Sequence, residues 1–259
     1  MLFMKKIIVS VVAALFAFML EAQSVEYQKS VFVDGNHSLP YRYLEPENFF
    51  KTKKYPVVIF LHGSGERGVD NEKQLIHGAQ QFLNPVNREK FPSYVFFPQA
   101  PIDGFWSLPE VDSICQSMFC NSTTPTWQIN ALTAFIDSIT NLPSVDKNRI
   151  YIMGISMGAM ALYELAWRNP STFAAAVPIC GAADTLNITR AKNVYWRIYH
   201  GDADNLVPVQ MSRNVYKKLS DSGADVQYFE FPGCTHGSWN PAFNDRDLLP
   251  WLFSKKRRK

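Results

Sequence analysis

The chain lacks the features that would commit it to a metal, a nucleic acid or a membrane. Its 259 residues hold five histidines and four cysteines, with no C-x-x-C pair and no histidine cluster, so no metal-ligand spacing is present. The formal charge of +3 is dominated by the terminal run Lys255, Lys256, Arg257, Arg258 and Lys259. The rest of the chain is close to neutral, which removes the basic patch that a nucleic-acid partner needs. The tail itself reads as the solvated end of the last helix. The apolar stretch from Ile7 to Leu20 falls short of the roughly 20 residues that cross a bilayer. No repeat, low-complexity tract or Pro/Gly/Ser linker divides the chain, and 47% hydrophobic against 19% charged residues suits one domain with a large core.

The N-terminal stretch has a different use. Lys5 and Lys6 precede the apolar run and Leu20-Glu21-Ala22 follows it, the layout of a cleaved secretory signal. Residues 1–22 are therefore expected to be removed, leaving 23–259 as one domain of a secreted or periplasmic protein with no stable membrane insertion. In an oxidising compartment the four cysteines can pair: Cys115 with Cys120 across a small loop and, by exclusion, Cys180 with Cys234. Free buried thiols are the alternative.

After the signal, VEYQKSVFV and LPYRYLEP flank an Asp34-Gly35 turn and read as an antiparallel hairpin. From residue 55 short apolar runs alternate with longer amphipathic segments: YPVVIFL, then a helix near NEKQLIHGAQQFL; SYVFFP, then WQINALTAFIDSIT; RIYIMGI, then MGAMALYELAWRN; FAAAVPICG; VYWRIYHG, then VQMSRNVYKKLSDSG; VQYFEFPG, then RDLLPWLFSKK. Continuous apolar strands alternating with helices imply a mostly parallel sheet covered on both faces. Ligands of such sheets bind outside the carboxyl ends of the strands. The long irregular segment from Ala100 to Thr126 carries Phe105, Trp106, Met118 and Phe119, and reads as a wall facing a substrate.

Two glycine motifs sit at strand ends. Gly63, Gly65 and Gly68 form G-x-G-x-x-G after YPVVIFL, a spacing that in a dinucleotide site is followed by an acid at the end of the next strand. Here the next strand ends in Pro98, Gln99 and Ala100, so a nucleotide cofactor is not expected. The second motif, Gly154-Ile155-Ser156-Met157-Gly158, joins strand RIYIM to helix MGAMALYEL. Strand, tight turn and helix are the setting in which a serine Oγ is lifted clear of the backbone as a nucleophile. A serine needs a base, and among the five histidines His236, in a Gly-flanked loop after the last strand, can reach a strand-end serine; His62 and His200 read as structural. The orienting acid should lie between the two in sequence: Asp204 is favoured, Asp184 is the alternative, and Asp202 is expected to tie its turn. In this reading the N–H of Met157 and that of Ser64 or Gly65 face a developing oxyanion, while Glu66 and Arg67 brace the loop. Trp106 and Trp239 are candidate substrate contacts.

These stretches, LHGSGERG, GISMGA, HGDADNLVP and CTHGSW, resemble those of the α/β-hydrolase superfamily over residues 55–253, in particular secreted esterases related to feruloyl and acetylxylan esterases and the phospholipase/carboxylesterase group. The resemblance implies an α/β-hydrolase fold, Ser156, Asp204 and His236 as nucleophile, acid and base, no cofactor, and an ester substrate, either a small molecule or a polysaccharide. Dienelactone hydrolases share the architecture but carry cysteine at the nucleophile position, so Ser156 argues against that activity. A serine peptidase of the prolyl-oligopeptidase type, a lipase or a phospholipase is the alternative.

Overall fold

The computed structural model describes residues 26–107 and 124–258. The expected signal peptide, Cys115, Cys120 and most of the irregular segment lie outside those residues. Eight strands form one sheet: β1 (Gln28–Asp34), β2 (His37–Leu44), β3 (Tyr55–Leu61), β4 (Tyr94–Pro98), β5 (Val145–Ile155), β6 (Ala175–Ile179), β7 (Tyr195–Gly201) and β8 (Val226–Phe231). Their spatial order is β1-β2-β4-β3-β5-β6-β7-β8. β1 and β2 form the expected antiparallel hairpin, with Asp34 opposite His37 and Gly35 at φ 57° in the turn. β2 also runs antiparallel to β4, and every later pairing is parallel.

The strands that read as unbroken apolar runs are the ones with two covered faces. In β3, Val57, Ile59 and Leu61 point into one core while Val58 and Phe60 point into the other; β5 alternates in the same way, Ile150 and Ile152 against Tyr151, Met153 and Ile155. The first core is closed by α3 (Trp127–Thr140), α4 (Met157–Arg168) and α5 (Gln210–Asp221), the second by α1 (Ala79–Leu83), α6 (Trp239–Phe243) and α7 (Leu248–Ser254), with α2 (Pro85–Lys90) beside α1. Side chains such as Phe135, Leu162 and Leu252 are wholly enclosed, and each contributes about 1.5–3 kcal/mol of burial. Thr126 starts α3 by accepting the Ile129 N–H (3.1 Å), an N-cap that satisfies one free donor of the first turn. Among the described residues no helix is long and apolar enough to cross a membrane.

One expected helix is broken. NEKQLIHGAQQFL forms a single 3-10 turn, Lys73–Leu75, and then the separate α1. Gly78 between them has φ 80°, and a Cβ there would stand 2.7 Å from the Phe60 ring. The chain must turn left-handed to pass the sheet, and helical periodicity cannot register that.

The sheet order places β5 centrally, with β3 and β6 beside it. Its C-terminal end, the turn after β3 and the loops after β7 and β8 therefore open on one edge of the molecule.

Candidate active site

Ser156 occupies the turn between β5 and α4 with φ 50° and ψ −118°, a conformation strained for any residue with a Cβ. The glycines flanking it allow the turn. A Cβ on Gly154 would stand 2.6 Å from the Gly158 carbonyl, and one on Gly158 would lie inside the Leu61 carbonyl oxygen of β3. The helix can therefore sit hard against both strands, with its N-terminus under the serine.

His236 and Asp204 come to Ser156 from the loops after β8 and β7. His236 Nε2 lies 2.9 Å from Ser156 Oγ and His236 Nδ1 lies 2.7 Å from Asp204 Oδ2. The carboxylate can only accept, so the imidazole proton sits on Nδ1 and the serine hydroxyl donates to Nε2. Asp204 is buried. Its Oδ1 accepts the N–H groups of Leu206 and Val207, both at 2.9 Å. Burial pushes the Asp204 carboxyl up, but the Val207 and Leu206 N–H groups and the His236 imidazole outweigh it and hold the carboxyl below its usual range. An ionised acid, an oriented imidazole and a hydroxyl in hydrogen-bond contact can move the hydroxyl proton to His236 as the oxygen attacks a carbonyl.

The competing acids fall elsewhere. Asp184 is spent on its own turn, accepting from Leu186 N (2.8 Å) and Asn187 Nδ2 (2.6 Å). Asp202 ties its turn to the neighbouring loop by accepting the Gly233 N–H at 2.6 Å.

The turn after β3 lies over the serine: the position of a Cβ on Gly63 would be 3.7 Å from Ser156 Cβ. Ser64 and Gly65 are exposed in a 3-10 turn. Their N–H groups and that of Met157 have no acceptor among the described residues. Arg67 braces this turn as expected, donating to Ser64 O (2.9 Å) and Gly104 O (3.3 Å) and lying over the Phe105 ring. Glu66 is buried with Oε1 3.7 Å from His77 Nε2. Gln99, where a nucleotide site would have an acid, donates instead to Glu66 O (3.1 Å) and Asp70 Oδ1 (2.9 Å).

Two expectations need correction. Trp106 is not a substrate contact: it is fully buried, its ring against His62, and its Nε1–H donates to His62 O at 3.2 Å. The indole is used to hold the β3 turn, a role that aromatic character in a loop does not distinguish from stacking on a ligand. Trp239, by contrast, is half-buried, with its ring edge-on to His236 at 5.6 Å and 5.0 Å from His77. Cys180 and Cys234 are not bridged. Cys180 follows β6 and is fully buried beside Ser238, and burial pushes its thiol up to about 12; Cys234 donates to Thr235 O in its own loop at 3.5 Å. Cys180, Asp204 and His236 each place a possible ligand atom within 4.8 Å of the others. The Asp204 carboxylate and the His236 imidazole are already joined to each other by a hydrogen bond.

His200 is expected from the sequence to be a structural residue of its own turn. It does bind within that turn, and its partner there is Asp204 itself, 3.1 Å from Nε2. The signal was present in HGDAD, which sets a histidine four residues before the acid.

Comparison with known proteins bears on this geometry. A thermostable esterase of known structure is similar to the chain at 33% identity with a TM-score of 0.82, over 89% of this chain and 63% of the other; this chain thus spans less than two thirds of that protein. Lysophospholipase-like protein 1 of Mus musculus is 27% identical over 196 residues, 69% of this chain and 79% of its own length. A ferulic acid esterase from Anaeromyces mucronatus, solved with ferulic acid, shares the fold at 17% identity and a TM-score of 0.61, covering 88% of this chain and 92% of the other. The model of the dienelactone hydrolase family matches residues 110–247, more than half of the sequence, a span that includes the serine turn and the loops bearing Asp204 and His236. The α/β-hydrolase sheet, the esterase neighbours and that match agree: the chain is a hydrolase and belongs to the dienelactone hydrolase family.

Proposed function

We propose that the protein is an exported serine esterase that cleaves carboxylic esters through an acyl-enzyme. The observation that carries this reading is the continuous contact from Asp204 through His236 to Ser156, at 2.7 and 2.9 Å. His236 takes the Ser156 proton as Oγ attacks the ester carbonyl. The oxyanion lies between the Met157 N–H and the N–H of Ser64 or Gly65, and Asp204 stabilises the imidazolium. His236 then gives its proton to the departing alcohol, and water releases the acid by the same route. No step calls for a metal or an organic cofactor. Serine stands where dienelactone-opening enzymes carry cysteine, which argues against dienelactone as the substrate.

The substrates we favour are feruloyl or acetyl groups on plant polysaccharides, a reading supported by the motif resemblance and by the fold shared with a ferulic acid esterase. Export is supported by the N-terminal sequence. The test is a hydrolysis panel of methyl ferulate, acetylated xylan, p-nitrophenyl esters and phospholipid, run with wild type and Ser156→Ala. Turnover of the ferulate or xylan ester that vanishes in Ser156→Ala supports the reading. Activity surviving in that variant removes the mechanism, and activity confined to phospholipid removes the substrate class.

A further inference from the structure

One buried titratable group beside this machinery has no part in the steps above. His200, the residue before the last of β7, is fully enclosed, and both of its ring nitrogens have defined partners. Nε2 lies 2.9 Å from Val207 O and 3.1 Å from Asp204 Oδ2. Both of those atoms accept, so Nε2 carries the proton and shares it between them. Nδ1 lies 2.7 Å from Ser212 Oγ on α5. Burial holds the His200 pKa down, so the ring is neutral and Nδ1 accepts the Ser212 hydroxyl proton. Another acceptor in reach of that hydroxyl, Gly181 O, is farther away at 3.3 Å.

The consequence falls on Asp204. Rotation about the last torsion of an aspartate is broad rather than confined to three staggered wells, so the plane of a carboxylate is fixed only by its partners. The Leu206 and Val207 N–H groups hold Oδ1 alone. Among the described residues, Oδ2, the oxygen that takes the His236 Nδ1–H, has one further donor, His200.

We propose that His200 is a positioning residue for the hydrolytic reaction: oriented by Ser212, it fixes the plane of the Asp204 carboxylate so that Oδ2 stays on His236 through the turnover. The inference rests on Ser156, His236 and Asp204 being the catalytic groups. A buried histidine with a purely structural task would affect folding. One that positions the acid affects the rate of each folded molecule, because small misplacements of a catalytic group cost rate rather than substrate binding.

The test compares His200→Leu, which fills the site without a donor, with His200→Gln, which restores a side-chain N–H donor, and with Ser212→Ala, which frees the imidazole tautomer. Rates are expressed per serine titrated with an active-serine organophosphonate, so unfolded molecules do not count. Relative to wild type, His200→Leu should lower kcat by about 10- to 100-fold with KM within about twofold, His200→Gln should recover to within about fivefold, and Ser212→Ala should lose about threefold. Wild-type kcat per titrated site in His200→Leu overturns the inference, as does a glutamine variant no faster than the leucine one. Should His200→Leu not fold, an undiminished kcat in Ser212→Ala overturns it instead. Failure of the organophosphonate to label Ser156 in the wild-type protein strikes the serine-esterase reading and not this inference alone.

Discussion

The turns after β3 and β7 use the same dipeptide at the same end of the same sheet and do different work. His62-Gly63 and His200-Gly201 both place a buried histidine within one residue of a strand end, His62 just beyond β3 and His200 just before the last residue of β7. In the first turn the imidazole holds only backbone: Nδ1 is 2.6 Å from Gly63 O, and Nε2 accepts the Ala100 N–H at 3.0 Å. Its proton is therefore on Nδ1, and what it steadies is the turn lying over Ser156. In the second turn the proton is on Nε2, and what it steadies is a carboxylate. The partners decide between the two tautomers: a backbone N–H after β4 leaves His62 Nε2 as acceptor, whereas the Val207 carbonyl and the Asp204 carboxylate require the proton on His200 Nε2. A His-Gly pair thus marks the strand end, and the surrounding fold assigns its task.

The sharpest way to separate the turns is through the acid that only one of them holds. Asp204→Asn should lower kcat by about 10⁴-fold through loss of the correct His236 tautomer, whereas Asp184→Asn, whose carboxylate serves its own turn, should leave kcat unchanged. Steady-state hydrolysis of an aryl ester measures both, and the reverse ranking would move the acid to Asp184.

The two glycines should differ next. A Cβ on Gly201 would fall inside the Cys234 carbonyl oxygen and 2.7 Å from Thr235 O, both backbone atoms of the loop that carries His236. A Cβ on Gly63 would meet the Glu66 side chain at 3.2 Å, which can give way. Chemical denaturation should therefore show Gly201→Ala destabilised by about 3 kcal/mol, with Gly63→Ala changed by less than about 1 kcal/mol.

The histidines also tie stability to pH. Burial lowers the His62 pKa from 6.5 to about 4. Above pH 6.5 the ring is neutral folded and unfolded. As pH falls, the unfolded chain takes up the proton first, so stability is lost between pH 6.5 and 4, by about 3 kcal/mol for this residue. His200, also lowered by burial, adds loss of the same sign. Denaturation measured across that range should show a shallower fall for His62→Gln than for wild type; an unchanged slope would mean that His62 is not the group held neutral.

The smallest effect belongs to the indole that holds the first turn. Trp106→Phe removes the donor to His62 O and should cost about 1 kcal/mol of stability, read as a lower Tm, with ester KM unchanged because Trp106 is enclosed. A large rise in KM would return Trp106 to the substrate.

How much of this was legible in the sequence depends on where the determining contact lies. The parallel sheet, its helical cover and the hairpin followed from apolar runs and turn residues, because those signals are local. Ser156 was legible for the same reason: its glycines, strand and helix adjoin it in the chain. His236 and Asp204 could be chosen because the order of elements fixes which loops meet. Gly78 was not legible as a break, since the Phe60 ring that forces it belongs to another strand. Trp106 was misread because an exposed indole and a buried one leave the same mark in a loop. The Cys180–Cys234 pairing came from exclusion, and exclusion carries no geometry.

The most direct test of the account is the structure of the organophosphonate adduct, read together with the mass of the labelled peptide. One label is expected, on Ser156, with the phosphonyl oxygen at about 2.7–3.1 Å from the Met157 N–H and from the N–H of Ser64 or Gly65. A label on any other residue, or an adduct whose oxygen turns away from both turns, would contradict it.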